Sequence, residues 1–214
     1  MKRGRFITLE GPEGGGKSTQ IRRIAEMLRA EGREVVTARE PGGTPTGEAI
    51  RGLLQYDHSG ESPSPACEVL LFIASRAQLV DTVIRPALKR GAVVLCDRFA
   101  DSTLAYQGYG RGFDVAALRR LNEFAIADCV PDVTLVLDLP VDAGRARMAG
   151  RHAAGGDGPD RLEREAAEFH ARVRDGYLAL ARAEPGRFRV MDASRAEEDV
   201  FEALAVEVRR VLEG

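Results

Sequence analysis

The sequence has little of what would mark it as a disulfide-stapled, metal-clustered or strongly basic protein. Its three cysteines, Cys67, Cys96 and Cys129, are widely spaced, and no C-x-x-C or metal-ligand spacing links them. That excludes a disulfide framework and leaves reduced, largely buried thiols as the expectation. The histidines, His58, His152 and His170, follow no partner pattern and are expected to be structural or solvent-exposed. A formal net charge of −2 gives no reason to expect a nucleic-acid or anionic-membrane surface. No apolar run approaches the length needed to span a bilayer. The first apolar run breaks at Glu10, too early for a signal-peptide core, so a cytoplasmic protein is expected. Lysine is also scarce: of 31 lysines and arginines only Lys2, Lys17 and Lys89 are lysines.

What is present is an alternation of short β-branched runs and helical patterns. Phe6–Leu9, Glu34–Ala38, Ala92–Cys96, Val133–Leu137 and Arg187–Met191 read as strands. The first, third and fourth are almost wholly apolar, as for parallel strands covered on both faces. Helices are predicted at about Lys17–Ala30, Pro45–Tyr56, Ala66–Arg90, Val115–Ala127, Asp142–Arg151, Asp160–Arg182 and Ala196–Leu212. This order predicts an α/β fold, a three-layer, five-stranded parallel sheet flanked by helices, as a single domain over residues 1–214. Ser64-Pro65 suits a helix entry, and the glycine-rich stretch 153–160 reads as a mobile loop. The helix from Ala66 is apolar nearly all round over 69–74, so it packs under a neighbour or also meets a second subunit.

Residues 11–18 fit G-x-x-x-x-G-K-[ST], leaving an apolar strand and opening a helix. Glycines there let backbone N–H groups turn toward a phosphate, and the helix N-terminus adds partial positive charge. Lys17 would reach the β- and γ-phosphates and Ser18 would ligate Mg²⁺. Glu13 is an odd residue to find inside such an anion cradle. Asp97 and Arg98 end the third strand, where a parallel sheet lines its ligand crevice. Asp97 could hold Mg²⁺ through water and Arg98 could fork onto a phosphate; a strand-end salt bridge is the plainer alternative. Arg39, in "TAREPGGTPTG", reads by itself as part of an ordinary strand exit. Arg147 and Arg151 share one helical face before the glycine-rich loop, which suits either a solvated basic face or a closing lid that delivers positive charge.

Taken in order, "EGPEGGGKST", "REPGGT", "FIASRAQ", "DRFADSTLAYQG", "PDVTLVLDLP", "DRLE" and "DAS" resemble the bacterial thymidylate kinases, over nearly the whole chain. The resemblance implies a P-loop nucleoside monophosphate kinase with a short lid at about 144–161. It implies phosphorylation of dTMP to dTDP by ATP with Mg²⁺, on the way to dTTP for DNA synthesis, in a homodimer. In that picture Gly11, Pro12, Glu13, Gly14, Gly15, Gly16, Lys17, Ser18 and Thr19 take ATP, and Arg147 stacks on adenine. Arg39 and Arg98 face the monophosphate. Phe72 stacks on thymine, Arg76 donates to its O4, Thr103 and Gln107 lie near the N3 edge, and Tyr106 sits under the sugar. Glu13 lies near the 3′-hydroxyl. Lys17, Arg98, Asp97 and Arg151 are the catalytic set and Ser18 and Asp97 the metal set. Some relatives carry a catalytic arginine where this chain has Gly14, so Arg151 of the lid is the expected replacement, although the insertion "HAAGGDG" lengthens this lid. Kinases of other monophosphates (dUMP, CMP or AMP) are the neighbouring alternatives. A GTP switch is disfavoured, because no Asn-Lys pair occurs for an N-K-x-D motif.

Overall fold

The computed structural model describes residues 3–56, 60–153, 155 and 158–213; His58 and Lys2 lie outside them. Strands β1 (Phe6–Glu10), β2 (Val35–Arg39), β3 (Val93–Asp97), β4 (Val133–Asp138) and β5 (Phe188–Asp192) form one sheet in the order β2-β3-β1-β4-β5. Every pairing is parallel. Helices α1 (Lys17–Ala30), α2 (Pro45–Gln55), α3 (Pro65–Leu79), α4 (Arg85–Lys89), α5 (Ala100–Thr103), α6 (Val115–Ile126), α7 (Val141–Ala153), α8 (Ala167–Ala183) and α9 (Glu197–Glu213) cover it. No helix of the described residues is long and apolar enough to cross a membrane.

Side chains of β1 alternate between the two faces, as a two-residue period requires. Ile7 and Leu9 pack with Ile24 and Leu28 of α1 and Leu204 and Val208 of α9. Phe6 turns the other way, onto Leu79, Ile84 and Phe99. On that face Thr8 Oγ1 lies 3.0 Å from Thr134 Oγ1, so this polar pair is satisfied inside the core.

Each strand runs one residue beyond its predicted end, to Glu10, Arg39, Asp97, Asp138 and Asp192. The ladder continues past the apolar run because backbone pairing ignores side-chain polarity: Glu10 pairs with Val136, Arg39 with Asp97 and Asp138 with Asp192. The result is a row of charged residues along the carboxyl edge of the sheet.

Four sequence expectations are corrected. The predicted helix from Ala66 to Arg90 is interrupted by a π-helical segment, Val80–Ile84, between α3 and α4; Pro86 has no N–H to continue the regular ladder. The helix predicted from Asp160 starts only at Ala167. Asp160 and Glu163 instead close a local turn, the Asp160 carboxylate accepting from Glu163 N at 2.8 Å and the Glu163 carboxylate from Asp160 N at 3.3 Å. Helical residues at 100–110 were not foreseen: α5 passes into a π-helical segment, Leu104–Gly110, buried almost all round and therefore without a polar stripe to reveal its period. Cys67 is exposed, whereas Cys96 and Cys129 are buried; it sits in the first turn of α3 on the outward side, with Leu70 and Ala74.

Candidate active site

A cavity of about 720 Å³ opens at the carboxyl edge of the sheet. One wall is the loop from Glu13 to Thr19; the other holds Arg39, Phe72, Thr103, Tyr106 and Gln107; Asp97 and Arg98 lie at its floor and Arg147 and Arg151 at its rim. Arg76 is the one residue of the expected substrate set that does not line it.

The loop is shaped by close backbone approach. Gly14 has φ of 74°, and a β-carbon there would lie 2.6 Å from the Gly144 carbonyl oxygen. The first turns of α7 therefore rest directly on the phosphate loop, and no side chain fits between them. This is the physical counterpart of the missing loop arginine. Arg147, one turn along α7, donates to Gly14 O at 3.4 Å and Ala193 O at 3.0 Å. Lys17 begins α1 after the left-handed Gly16 and is buried, with Nζ donating to Pro12 O at 2.8 Å and Gly11 O at 3.2 Å. Burial, joined by the Arg98 charge, lowers its pKa to about 8 against the pull of Glu13 and Asp97. Ser18 Oγ donates to Asp97 Oδ2 at 2.6 Å, bringing the expected metal pair together.

Arg98 takes φ of 65°, in the left-handed region, at the turn off β3. Its Nη2 donates to Glu13 Oε1 at 2.7 Å and Tyr106 Oη at 2.9 Å, and its Nη1 to Gly11 O at 3.0 Å and Tyr177 Oη at 3.1 Å. Burial would raise the Glu13 pKa, but Arg98, Lys17 and the Tyr106 hydroxyl outweigh it and bring it to about 2. Glu13 is thus ionised at neutral pH and turned to the Arg98 side of the cradle.

Glu10, three residues earlier, behaves oppositely. It is fully buried and accepts from Phe99 N at 2.7 Å, Ser102 Oγ at 2.6 Å and Tyr177 Oη at 2.8 Å. Burial, reinforced by Asp101, raises its pKa to about 7 despite Arg98 and these hydrogen bonds. The folded state then holds a proton that the unfolded chain has released, so stability falls as pH rises from about 4.5 to about 7. Glu10→Gln is expected to flatten that slope: melting temperatures of variant and wild type should diverge in the variant's favour between pH 5 and pH 8, and parallel curves would refute the assignment.

The remaining expected residues fall as follows. Arg39 forks onto both Glu48 oxygens, at 2.8 and 2.7 Å, and donates to Pro41 O at 2.9 Å, after a cis Glu40-Pro41 bond. Phe72 is half-buried at the cavity wall. Arg151 Nη2 meets Glu163 Oε1 at 2.8 Å with its side chain 55% exposed. Arg76 departs from expectation. It is 1% exposed, and its N–H groups go to Glu40 (2.6, 2.9 and 3.2 Å), Thr103 Oγ1 (3.1 Å), Asn122 Oδ1 (2.7 Å) and Phe99 O (3.1 Å). A buried guanidinium must satisfy its five donors, and here the chain satisfies them all. Arg76 reaches a base O4 only by exchanging one of these bonds. Glu10, Glu40, Glu68, Asn122 and Tyr177 were not singled out from sequence; each meets partners far along the chain, so no local spacing announces it.

A family profile described as thymidylate kinase matches residues 9–204. The chain belongs to the thymidylate kinase family. It is 54% identical to the thymidylate kinase of Pelotomaculum thermopropionicum over 92% of this chain and 88% of that one. It is 50% identical to that of Methylococcus capsulatus over 100% and 99% respectively. The crystal structure of thymidylate kinase from Ehrlichia chaffeensis superposes with a TM-score of 0.74 at 36% identity, covering 98% of this chain and 99% of that one. The P-loop kinase fold and an ATP-dependent nucleoside monophosphate kinase activity follow for this family member.

Proposed function

We propose that the cavity divides between two nucleotides for the reaction of the family, in which dTMP is phosphorylated to dTDP with ATP as donor. The residues of loop 11–19 hold the donor phosphates, with Lys17 at the β- and γ-positions and Arg147 beside the adenine. Arg39 and Arg98 hold the acceptor monophosphate, Phe72 the thymine face, Thr103 and Gln107 its polar edge, Tyr106 the sugar face and Glu13 the 3′-hydroxyl. The observation that carries this reading is the convergence of Lys17 and Arg98 on the same short loop, with Gly11 O accepting from both. A donor phosphate and an acceptor phosphate are thereby brought to the two sides of one backbone segment.

The acceptor is itself a phosphate, with a second pKa of about 6, so no general base is required. The chain's work is to align two anions and neutralise charge as the phosphoryl group moves. Lys17 has its charged form favoured again once phosphate oxygens replace the carbonyls it now meets. Arg151 leaves Glu163 to meet the transferring group. Ser18 and Asp97 suit Mg²⁺: two oxygens 2.6 Å apart, with phosphate oxygens and water to complete the shell, match a hard cation that takes few protein ligands. When bound, that ion neutralises charge on the β- and γ-phosphates. Product formation across dTMP, dUMP, dCMP and AMP, with ATP and with GTP, tests the reading. dTMP with ATP is the expected best pair; another preferred acceptor would overturn it.

The kinase pairs with a second copy across α3 and α6, where Leu70 is 57% and Phe124 87% exposed. Large apolar side chains this exposed at adjoining helices call for a cover. Phe124→Glu is expected to halve the mass seen by sedimentation, while a mass unchanged from wild type would exclude this face.

A further inference from the structure

A side-chain amide presents an acceptor on one side and a donor on the other, so what holds it fixes which of the two faces a cavity. Glu68 of α3 is fully buried. Its carboxylate accepts from Arg111 Nε at 2.7 Å and Nη2 at 2.9 Å, from Arg161 Nη2, and from Gln107 Nε2 at 2.8 Å. Burial would raise its pKa, but the hydrogen bonds from Arg111, Gln107 and Arg161 outweigh it and lower it. An ionised carboxylate only accepts. The Gln107 atom facing Glu68 is therefore the amide nitrogen, an orientation the network dictates. Gln107 Oε1 accepts nothing from the described residues and is left to the cavity that Gln107 lines.

Thr103, on the same wall, is fixed in the opposite sense. Its Oγ1 accepts from Arg76 Nη1 at 3.1 Å, so its hydroxyl hydrogen remains to donate. The wall thus presents one acceptor and one donor. Thymine and uracil offer the complement, a ring N3–H and an O4 acceptor. Cytosine offers the reverse, a bare N3 and an amino group. A mismatch of this kind in a dry site leaves polar groups unpaired, which is far costlier than a poor apolar fit.

We propose that Glu68 is a specificity-determining positioning residue, which locks Gln107 with Oε1 toward the base so that a ring N3–H is accepted and a bare N3 is refused. This rests on the reading that Gln107 meets the N3 edge. Arg161, at the end of the lid stretch, also donates to Leu54 O at 3.1 Å, so it ties the ionised Glu68 to α2.

The test compares kcat/KM for dTMP, dUMP and dCMP in wild type, Q107A, E68Q and the exchanged pair E68Q/Q107E. Glutamine at position 68 can accept or donate, so Gln107 is free to turn over. E68Q is expected to lower the dTMP:dCMP ratio at least about tenfold while the dTMP:dUMP ratio stays within about twofold, because uracil shares the thymine edge. The exchanged pair returns an acceptor oxygen to the cavity and restores the dTMP:dCMP ratio. An equal loss for all three substrates in E68Q would show packing alone and overturn the proposal. So would an unchanged ratio in E68Q alongside a changed one in Q107A. An unchanged ratio in Q107A overturns instead the placement of Gln107 at the base edge. Should E68Q not fold, neutron diffraction from the perdeuterated wild-type protein reads the same feature: two deuterons on the Gln107 atom facing Glu68 are expected, and a bare oxygen there sinks the idea.

Discussion

Replacing Arg151 with alanine is expected to lower kcat by about 10³-fold while the KM for dTMP changes little, as the proposed role of its charge at the transferring phosphoryl group requires. The loop proposed to hold the donor brings no arginine of its own, and Gly14 has no room for a side chain against Gly144. On the proposed reading, positive charge beyond that of Lys17 and Arg98 comes from the rim. Arg147 is held against the loop backbone and Ala193. Arg151, with its side chain 55% exposed, is tied among the described residues to Glu163 alone. Steady-state kinetics on purified R151A, with dTMP affinity measured separately, decides the matter. A matched loss of dTMP affinity with unchanged turnover would assign Arg151 to binding instead.

The second large effect is expected from Arg98→Met, a fall of about 10³-fold or more in kcat/KM for dTMP. Arg98 is bonded at once to Glu13, Tyr106, Gly11 and Tyr177, and so joins the phosphate loop to the proposed acceptor wall. Its removal also unmasks Glu13. In the wild type the Glu13 pKa of about 2 lies below the ordinary 4.5, so Glu13 contributes stability that is present above about pH 4.5 and lost as pH falls toward 2. Without Arg98 that contribution is gone at neutral pH, and the stability gap between wild type and variant should narrow as the solution is acidified. Urea unfolding at pH 7 and pH 3 measures it; a gap that is constant with pH would show that Arg98 does not hold Glu13 ionised.

The alternation of apolar runs and helical patterns was legible as a five-stranded parallel sheet because burial on both faces makes β1, β3 and β4 almost wholly apolar. The phosphate loop was equally legible, since its glycines, Lys17 and Ser18 act through local backbone geometry. Helix 100–110 was not, because a segment buried all round carries no period. The early helix start at Asp160 failed for a different reason: its carboxylate and that of Glu163 serve a turn, and Arg161 is drawn to Leu54 and Glu68.

The same division holds inside the cavity. Sequence placed Arg39, Phe72, Asp97, Arg98, Thr103, Tyr106, Gln107, Arg147 and Arg151 near one another through resemblance and strand order, and all of them line the cavity. It could not foresee that Arg76 is enclosed by Glu40, Thr103 and Asn122, which lie 36, 27 and 46 positions away. Nor could it foresee that Glu10 and Glu13, three residues apart, have their pKa values driven to about 7 and about 2. The sheet, the phosphate loop and the residue types of the site could be read from the chain, because those follow from short-range periodicity and backbone chemistry. Which charges are paired and which way Gln107 points emerge from the folded arrangement, because both depend on burial and on partners brought together from distant parts of the chain.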